Sequence, residues 1–340
     1  MSIALMGAGS LGTIIGALIA SKGREITLID ANEEQVKALN EKGATITGTI
    51  ELENIPVKAI LPEEMEGLYE IVFYLVKQTH NEVALKQLLP HLDDNSVVCT
   101  LQNGVPEDEV ATIVGKERTM GCPVGWGATW IEPGVSMLTS QTDKMTFDLG
   151  ELDGQITERA KKVAEILELV APVEITTNLP GVRWTKLLVN ATFSGMSAAL
   201  GCTFGDILDN EKALTCVAHI ANETIKVSRA LGITLEPIQG HDLNILAFAT
   251  REEMEGMFPI YQAVWGPHRL LKASMLQDLE KGFKTEIDAI NGYISNRGRN
   301  ANVPTPVNDK VVEIVKAIEA GKMKHVFDNL EQFALPDLPA

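Results

Sequence analysis

The chain has 340 residues, 45% hydrophobic and 22% charged, a balance that fits a folded globular protein and excludes a disordered or fibrous one. Its formal net charge of −17, with no concentrated basic patch to offset it, excludes nucleic acid and anionic membrane surfaces as expected partners. At roughly 100 to 200 residues per domain, two domains are expected.

Cys99, Cys122, Cys202 and Cys216 are scattered without CxxC spacing or neighbouring histidines, which points to buried free thiols and to no metal. The apolar run from Ile14 to Ala20 imitates a signal sequence. No Lys or Arg precedes Lys22, however, glycines interrupt the run, and no segment reaches the roughly 20 apolar residues of a bilayer span. A cytoplasmic location is expected.

In chain order, short apolar runs predict strands at 3–6, 26–29, 71–76, 97–101 and 145–149, with helices between them at 33–42 and 83–89. A helix over 156–170 and a short strand over 173–176 close this half. The alternation predicts an α/β fold whose N-terminal part is a Rossmann-type, doubly wound parallel sheet. Asn178 to Gly181 break the chain, so residues 1–178 are read as a dinucleotide-binding domain. Beyond them strand signals vanish and helical patterns at 212–231, 266–280 and 305–319 predict an all-helical domain over 179–333. Residues 334–340, with Pro336 and Pro339, read as a frayed tail.

Gly7, Ala8, Gly9, Ser10, Leu11 and Gly12 come directly after the first strand and open an amphipathic helix. The first glycine permits the tight turn, the second lets a pyrophosphate approach the backbone, and the third allows helix and strand to pack closely. The positive end of the helix then receives the pyrophosphate. Asp30 ends the second strand at the spacing of a ribose contact. A carboxylate there accepts ribose hydroxyls and repels a 2′-phosphate, which favours NAD(H) over NADP(H). The competing role for Asp30 is to cap the helix that starts at Glu33.

Ligands of open parallel sheets lie beyond the carboxyl ends of the strands. Two polar residues sit there: Lys77, suited to a ribose or phosphate oxygen, and Asn103, suited to the nicotinamide ribose or the substrate, with Gly104 allowing close approach. An Asn-Gly pair is also an ordinary turn. Further on, a helix over 184–200 carries apolar residues on nearly every side and is read as buried. Lys186, Asn190, Ser194 and Ser197 recur along it at helical spacing, a narrow polar line whose narrowness favours a cleft facing the cofactor over the solvated face of an amphipathic helix. Ser274 lies on the helix expected to end at Gly282. Thr285 with Asp288 reads as a capping box that places Glu286 in a first helical turn.

These motifs together, GAGSLG from Gly7, LVKQ around Lys77, QNG around Asn103, RWTKLLVN from Arg183, SMLQD from Ser274 and TEIDAING from Thr285, resemble the ketopantoate reductase (2-dehydropantoate 2-reductase) family over most of the chain. The resemblance implies a Rossmann domain, a helical domain and a substrate cleft between them. It also implies reduction of the 2-oxo acid ketopantoate to pantoate, a step in pantothenate synthesis. Lys186 is then the proton donor and Glu286 its partner. Asn103 and Asn190 hold substrate and cofactor, and Ser274 meets the substrate carboxylate.

The chain also departs from that pattern. NADPH-using members carry arginine just after the second strand, where Asp30 and Ala31 stand here, so NAD(H) is favoured and NADP(H) is the family's alternative. Ser194 replaces a substrate-contacting asparagine and Phe204 another polar residue, which would reshape the pocket. A related 2-oxo acid reductase or 2-hydroxy acid dehydrogenase, and a non-catalytic NAD(P)-binding sensor, are the competing functions. The expected partner is a small 2-oxo acid, with a homodimer as the assembly to test.

Overall fold

A computed structural model describes residues 2–238 and 240–339. The chain divides into two compact units: Met1–Gln102 with Pro106–Leu179, and Asn103–Val105 with Pro180–Ala340.

The first unit is built on an eight-stranded sheet and a four-stranded one. Its strands are β1 (Ile3–Met6), β2 (Thr27–Ile29), β3 (Ala44–Gly48), β4 (Leu52–Ile55), β5 (Lys58–Ile60), β6 (Ile71–Tyr74), β7 (Val97–Thr100), β8 (Thr119–Gly121), β9 (Ala128–Glu132), β10 (Val135–Leu138), β11 (Phe147–Glu151) and β12 (Val173–Ile175). Helices α1 (Ser10–Ser21), α2 (Glu33–Lys42), α3 (Asn81–Leu88), α4 (Glu107–Val114) and α5 (Glu158–Leu167) connect them. The large sheet runs β5-β2-β1-β6-β7-β8-β11-β12. Its first six strands are parallel, whereas β11 lies antiparallel to β8, a departure from the wholly parallel sheet expected. β1, β6 and β7 are fully buried, which is why they read as continuous apolar runs rather than alternating ones.

The chain starts at β1, proceeds to β2 and β5 on one side, and then crosses to β6 on the other. The order therefore reverses between β1 and β6, the place where open α/β sheets bind ligands. The four-stranded sheet, β4-β3-β10-β9, packs on α1. None of its strands is expected from the sequence. They are short, β4 is largely exposed, and β3 pairs with β10 in register Thr45–Val135, far outside any local window.

The second unit is helical: α6 (Leu179–Val189), a π-helical turn over Asn190–Ser194, α7 (Gly195–Leu200), α8 (Phe204–Leu208), α9 (Glu211–Ala230), α10 (Arg251–Gly256), α11 (Phe258–Trp265), α12 (Ser274–Glu280), α13 (Asn291–Asn300) and α14 (Pro306–Glu319). Asn103–Val105 belong to this unit and Val105 packs on its core, an arrangement that a single cut after residue 178 does not contain. α7 packs against α12 and α14, and α9 against the π-turn and α14.

Three local expectations need correction here. The helix read over 266–280 is broken: a 3-10 turn at Gly266–His268 runs into a turn at residues 269–270 and irregular chain before α12 starts at Ser274. Thr285 and Asp288 form no capping box. The Thr285 hydroxyl donates to Glu319 Oε1 (2.6 Å) and accepts from Ile287 N, while Asp288 pairs with Lys316 at 2.6 Å. A 3-10 turn, Ile287–Ala289, comes next and α13 starts only at Asn291, so Glu286 is the N-cap residue of that short turn instead of lying in a first α-helical turn. The tail is tied down as far as it is described: Leu335 and Leu338 pack on the helical core and Pro339 O accepts from Arg251 N at 3.0 Å, with Ala340 outside the described residues.

All four cysteines are buried, and burial pushes Cys202 and Cys216 up to about 12. Among the described residues no helix is long and apolar enough to cross a membrane.

Candidate active site

The glycine turn leaves β1 and is fixed on both sides by backbone. Gly7 has φ 101°, and a Cβ there would stand 2.7 Å from the backbone just beyond β6. A Cβ on Gly12 would lie 2.1 Å from Gly7 O, so helix α1 meets the turn only because this position has no side chain. Gly9 differs from both, with nothing within 4 Å of an added Cβ. Open space at Gly9, a helix N-terminus without a side-chain cap, and no acid in the first turn of α1 together fit a pyrophosphate resting on Ala8, Ser10 and Leu11 backbone.

A polar clamp holds this turn from behind. Gln35, 2% exposed on α2, donates from Nε2 to Ala8 O (2.7 Å) and to Thr13 Oγ1 (3.0 Å). Thr13 Oγ1 also donates to Ala8 O at 2.8 Å. On its other side, Gln35 Oε1 accepts from Gly134 N (2.8 Å) and Trp130 Nε1 (3.4 Å) of the β9–β10 hairpin. Sequence reasoning missed Gln35. Its one signal is a polar residue beside Val36 on the face of α2 that is otherwise apolar.

Asp30 is half-buried at the end of β2. Its Oδ1 accepts from Asn32 N at 2.9 Å. Burial raises its pKa, against the pull of hydrogen bonds from the Asn32 and Ala8 backbone. The helix-capping role falls to Asn32, whose side chain accepts from Glu34 N and Gln35 N. Asp30 is thus held beside the glycine turn.

Lys77 is exposed and heads the 3-10 turn Gln78–His80 after β6. Behind it, buried Gln102 at the end of β7 donates to Val76 O and to Asn81 Oδ1 (2.7 Å), locking the two strand ends together. Asn103 comes next, half-buried, with Gly104 at φ 74°.

In the second unit, α6 and the π-turn present the polar line. From Gly181 to Leu200 only Val182, Lys186, Val189, Asn190 and Ser194 are half-buried, and every other residue is buried. Lys186, Asn190 and Ser194 therefore share one accessible strip on a core helix. Ser197 does not belong to it. Its hydroxyl is fully buried and donates to Cys202 O at 2.6 Å, because the π-turn adds a residue and rotates the helix beyond it.

Phe204 does not line a polar pocket either. It is buried against Phe193 at 5.3 Å between ring centroids, and Phe193 stacks on Trp265 at 4.8 Å. Ser274 is exposed at the first position of α12, and Glu286 is half-buried. Asn103, Lys186, Asn190, Ser194, Ser274 and Glu286 all fall within the same compact unit.

A glycine turn at the switch point of a Rossmann-like sheet, with a helical unit that carries a half-buried lysine line, defines an NAD(P)-dependent oxidoreductase. Residues 3–154 match the family model described as ketopantoate reductase PanE/ApbA, and residues 178–319 match the model of its C-terminal domain. The chain belongs to the ketopantoate reductase family.

A 2-dehydropantoate 2-reductase of Mesorhizobium japonicum is 30% identical over 94% of this chain and 99% of the relative. One of Archaeoglobus fulgidus is 28% identical over 94% and 98%. Among solved structures, a D-mandelate dehydrogenase with NADH and anilino(oxo)acetate superposes with a TM-score of 0.82 at 26% identity, covering 95% of this chain and 99% of that one. A PanE/ApbA family ketopantoate reductase from Ralstonia eutropha has the same fold, with a TM-score of 0.81 at 24% identity over 95% and 99%.

Proposed function

We propose that the chain reduces 2-dehydropantoate to pantoate with NADH. The observation that carries this reading is the accessible strip of Lys186, Asn190 and Ser194 on an otherwise buried helix, in the unit that also holds Asn103, Ser274 and Glu286. The names of the relatives that match over nearly the whole chain support it.

The dinucleotide, when bound, supplies a hydride to C2 of the 2-oxo acid. Gly7 to Gly12 would hold its pyrophosphate, Asp30 its adenosine ribose, and Lys77 and Asn103 its remaining ribose and phosphate oxygens. Lys186 stabilises the charge that develops on the C2 oxygen and donates the proton that makes it a hydroxyl. Glu286 orients that ammonium, Asn190 and Ser194 hold the substrate's polar groups, and Ser274 meets its carboxylate.

A second reading has its own support. The likeness to a D-mandelate dehydrogenase solved with NADH, and Ser194 in place of an amide, favour a bulkier or aromatic 2-oxo acid. Initial rates with NADH on ketopantoate, 2-oxoisovalerate and benzoylformate separate the two. A kcat/KM for ketopantoate at least about tenfold above the others is expected, a gap of about 1.4 kcal/mol in transition-state binding. A preference for benzoylformate would replace the first reading with the second.

A further inference from the structure

The π-turn at Asn190–Ser194 is held open by a buried relay that starts elsewhere in the helical unit. Gly195 N donates to Asn190 O, five residues back, so the turn is one residue wider than an α-turn. Widening disturbs the ladder, and side chains satisfy the carbonyls around it. Thr192 Oγ1 donates to Leu188 O (2.8 Å) and Val189 O (2.9 Å). Asn291 Nδ2 donates to Ala191 O at 3.0 Å, from a residue that is fully buried at the start of α13.

Asn291 is itself aimed. Its Nδ2 also donates to Asn308 Oδ1 (3.0 Å), and Asn308 Nδ2 donates to Glu223 Oε2 at 2.8 Å. Glu223 Oε1 and Oε2 accept the backbone N–H groups of Val307 and Asn308 in the first turn of α14. The relay therefore has one direction: Glu223 fixes the Asn308 amide, which presents its oxygen to Asn291, which can then only present N–H to Ala191. Gly195 completes the fit, since a Cβ there would stand 2.6 Å from Asn291 Oδ1. Among the described residues the buried Asn291 oxygen has no hydrogen-bond partner, so the amide acts on the turn through its two N–H donors.

We infer that Asn291 is a positioning residue for the substrate: by holding Ala191 O it fixes the π-turn that aims Asn190 and Ser194, and so sets affinity for the 2-oxo acid without touching it. This rests on the reading of Asn190 and Ser194 given under Proposed function.

The test is steady-state kinetics on Asn291→Leu, with NADH affinity measured separately by fluorescence titration. KM for the preferred 2-oxo acid rises about tenfold, the scale of one lost buried hydrogen bond, while kcat and the NADH Kd stay within about twofold. Asn308→Ala, which lies a step further from the turn, gives the same split at smaller amplitude and serves if Asn291→Leu does not fold. A lowered melting temperature with unchanged KM, or a parallel rise in KM and NADH Kd, reports general loosening and overturns the inference. Asn190→Ala separates the two layers. If it raises KM while the Asn291 and Asn308 variants do not, only this inference fails. If none of the three moves KM, the reading of the strip fails with it.

Discussion

The carboxylate of Asp30 accepts the backbone N–H of Asn32 at 2.9 Å, which leaves the start of α2 to be capped by the Asn32 side chain. The two residues divide the work, and the Asp30 carboxyl is held beside the glycine turn, its pKa raised by burial. A charged hydrogen bond to a ribose hydroxyl contributes about 1.5–3 kcal/mol, and the same carboxylate repels a 2′-phosphate. The kcat/KM ratio for NADH over NADPH is expected to exceed about tenfold, and Asp30→Ala to lower it by about ten- to a hundredfold. An unaltered protein that prefers NADPH would refute the role.

Lys186 is asked to act in the chemical step. Loss of a positioned general acid typically lowers turnover by about 10²–10⁴-fold. Lys186→Ala should therefore cut kcat by that order while the NADH Kd changes little. Near-normal turnover in this variant would mean that another group supplies the proton.

Gln35 braces the glycine turn through Ala8 O and is braced in return by Gly134 N. In Gln35→Leu, Ala8 O keeps only the Thr13 hydroxyl and Gly134 N loses its Gln35 acceptor, at about 1–3 kcal/mol for a buried group left unsatisfied. NADH Kd should rise about tenfold, with the KM of the 2-oxo acid unchanged. Equal NADH affinity in variant and parent, measured by calorimetry, would show that the turn needs no such brace.

Locality decided how much could be read from the sequence. The glycine turn, Asp30 and the Lys186–Asn190–Ser194 line are defined within a few residues of chain, and the structure puts each on the expected strand end or helix face. The π-turn was invisible because positions 186, 190 and 194 keep a common face in either helix form. Only Ser197, rotated into the core, betrays it. Thr285 looked like a cap because nothing nearby reveals that Glu319, 34 residues on, claims its hydroxyl and its N–H. The four-stranded sheet and the grouping of Asn103 with the helical unit likewise depend on partners distant in sequence.

Two titrating groups on α9 oppose one another. Burial, partly offset by hydrogen bonds from Asn308 and Val307, pushes Glu223 up to about 7 from 4.5. Burial, helped by Lys226, pulls His219 down to about 4 from 6.5, its ring set edge-on to Phe248 at 5.3 Å. The folded chain holds the Glu223 proton more tightly than the unfolded one, so that stabilisation is complete below pH 4.5 and lost as pH rises through 7. The His219 contribution is complete above pH 6.5 and lost as pH falls through 4. Each spans about 3 kcal/mol, and between them the slopes cancel. His219→Phe should thus leave a fall in stability from pH 4.5 to 6.5 that the parent does not show, and Glu223→Gln a rise over the same window. Melting temperatures measured across that range check both signs at once. A variant whose curve merely parallels the parent's would mean that the group it lacks does not titrate in the folded chain as its burial requires.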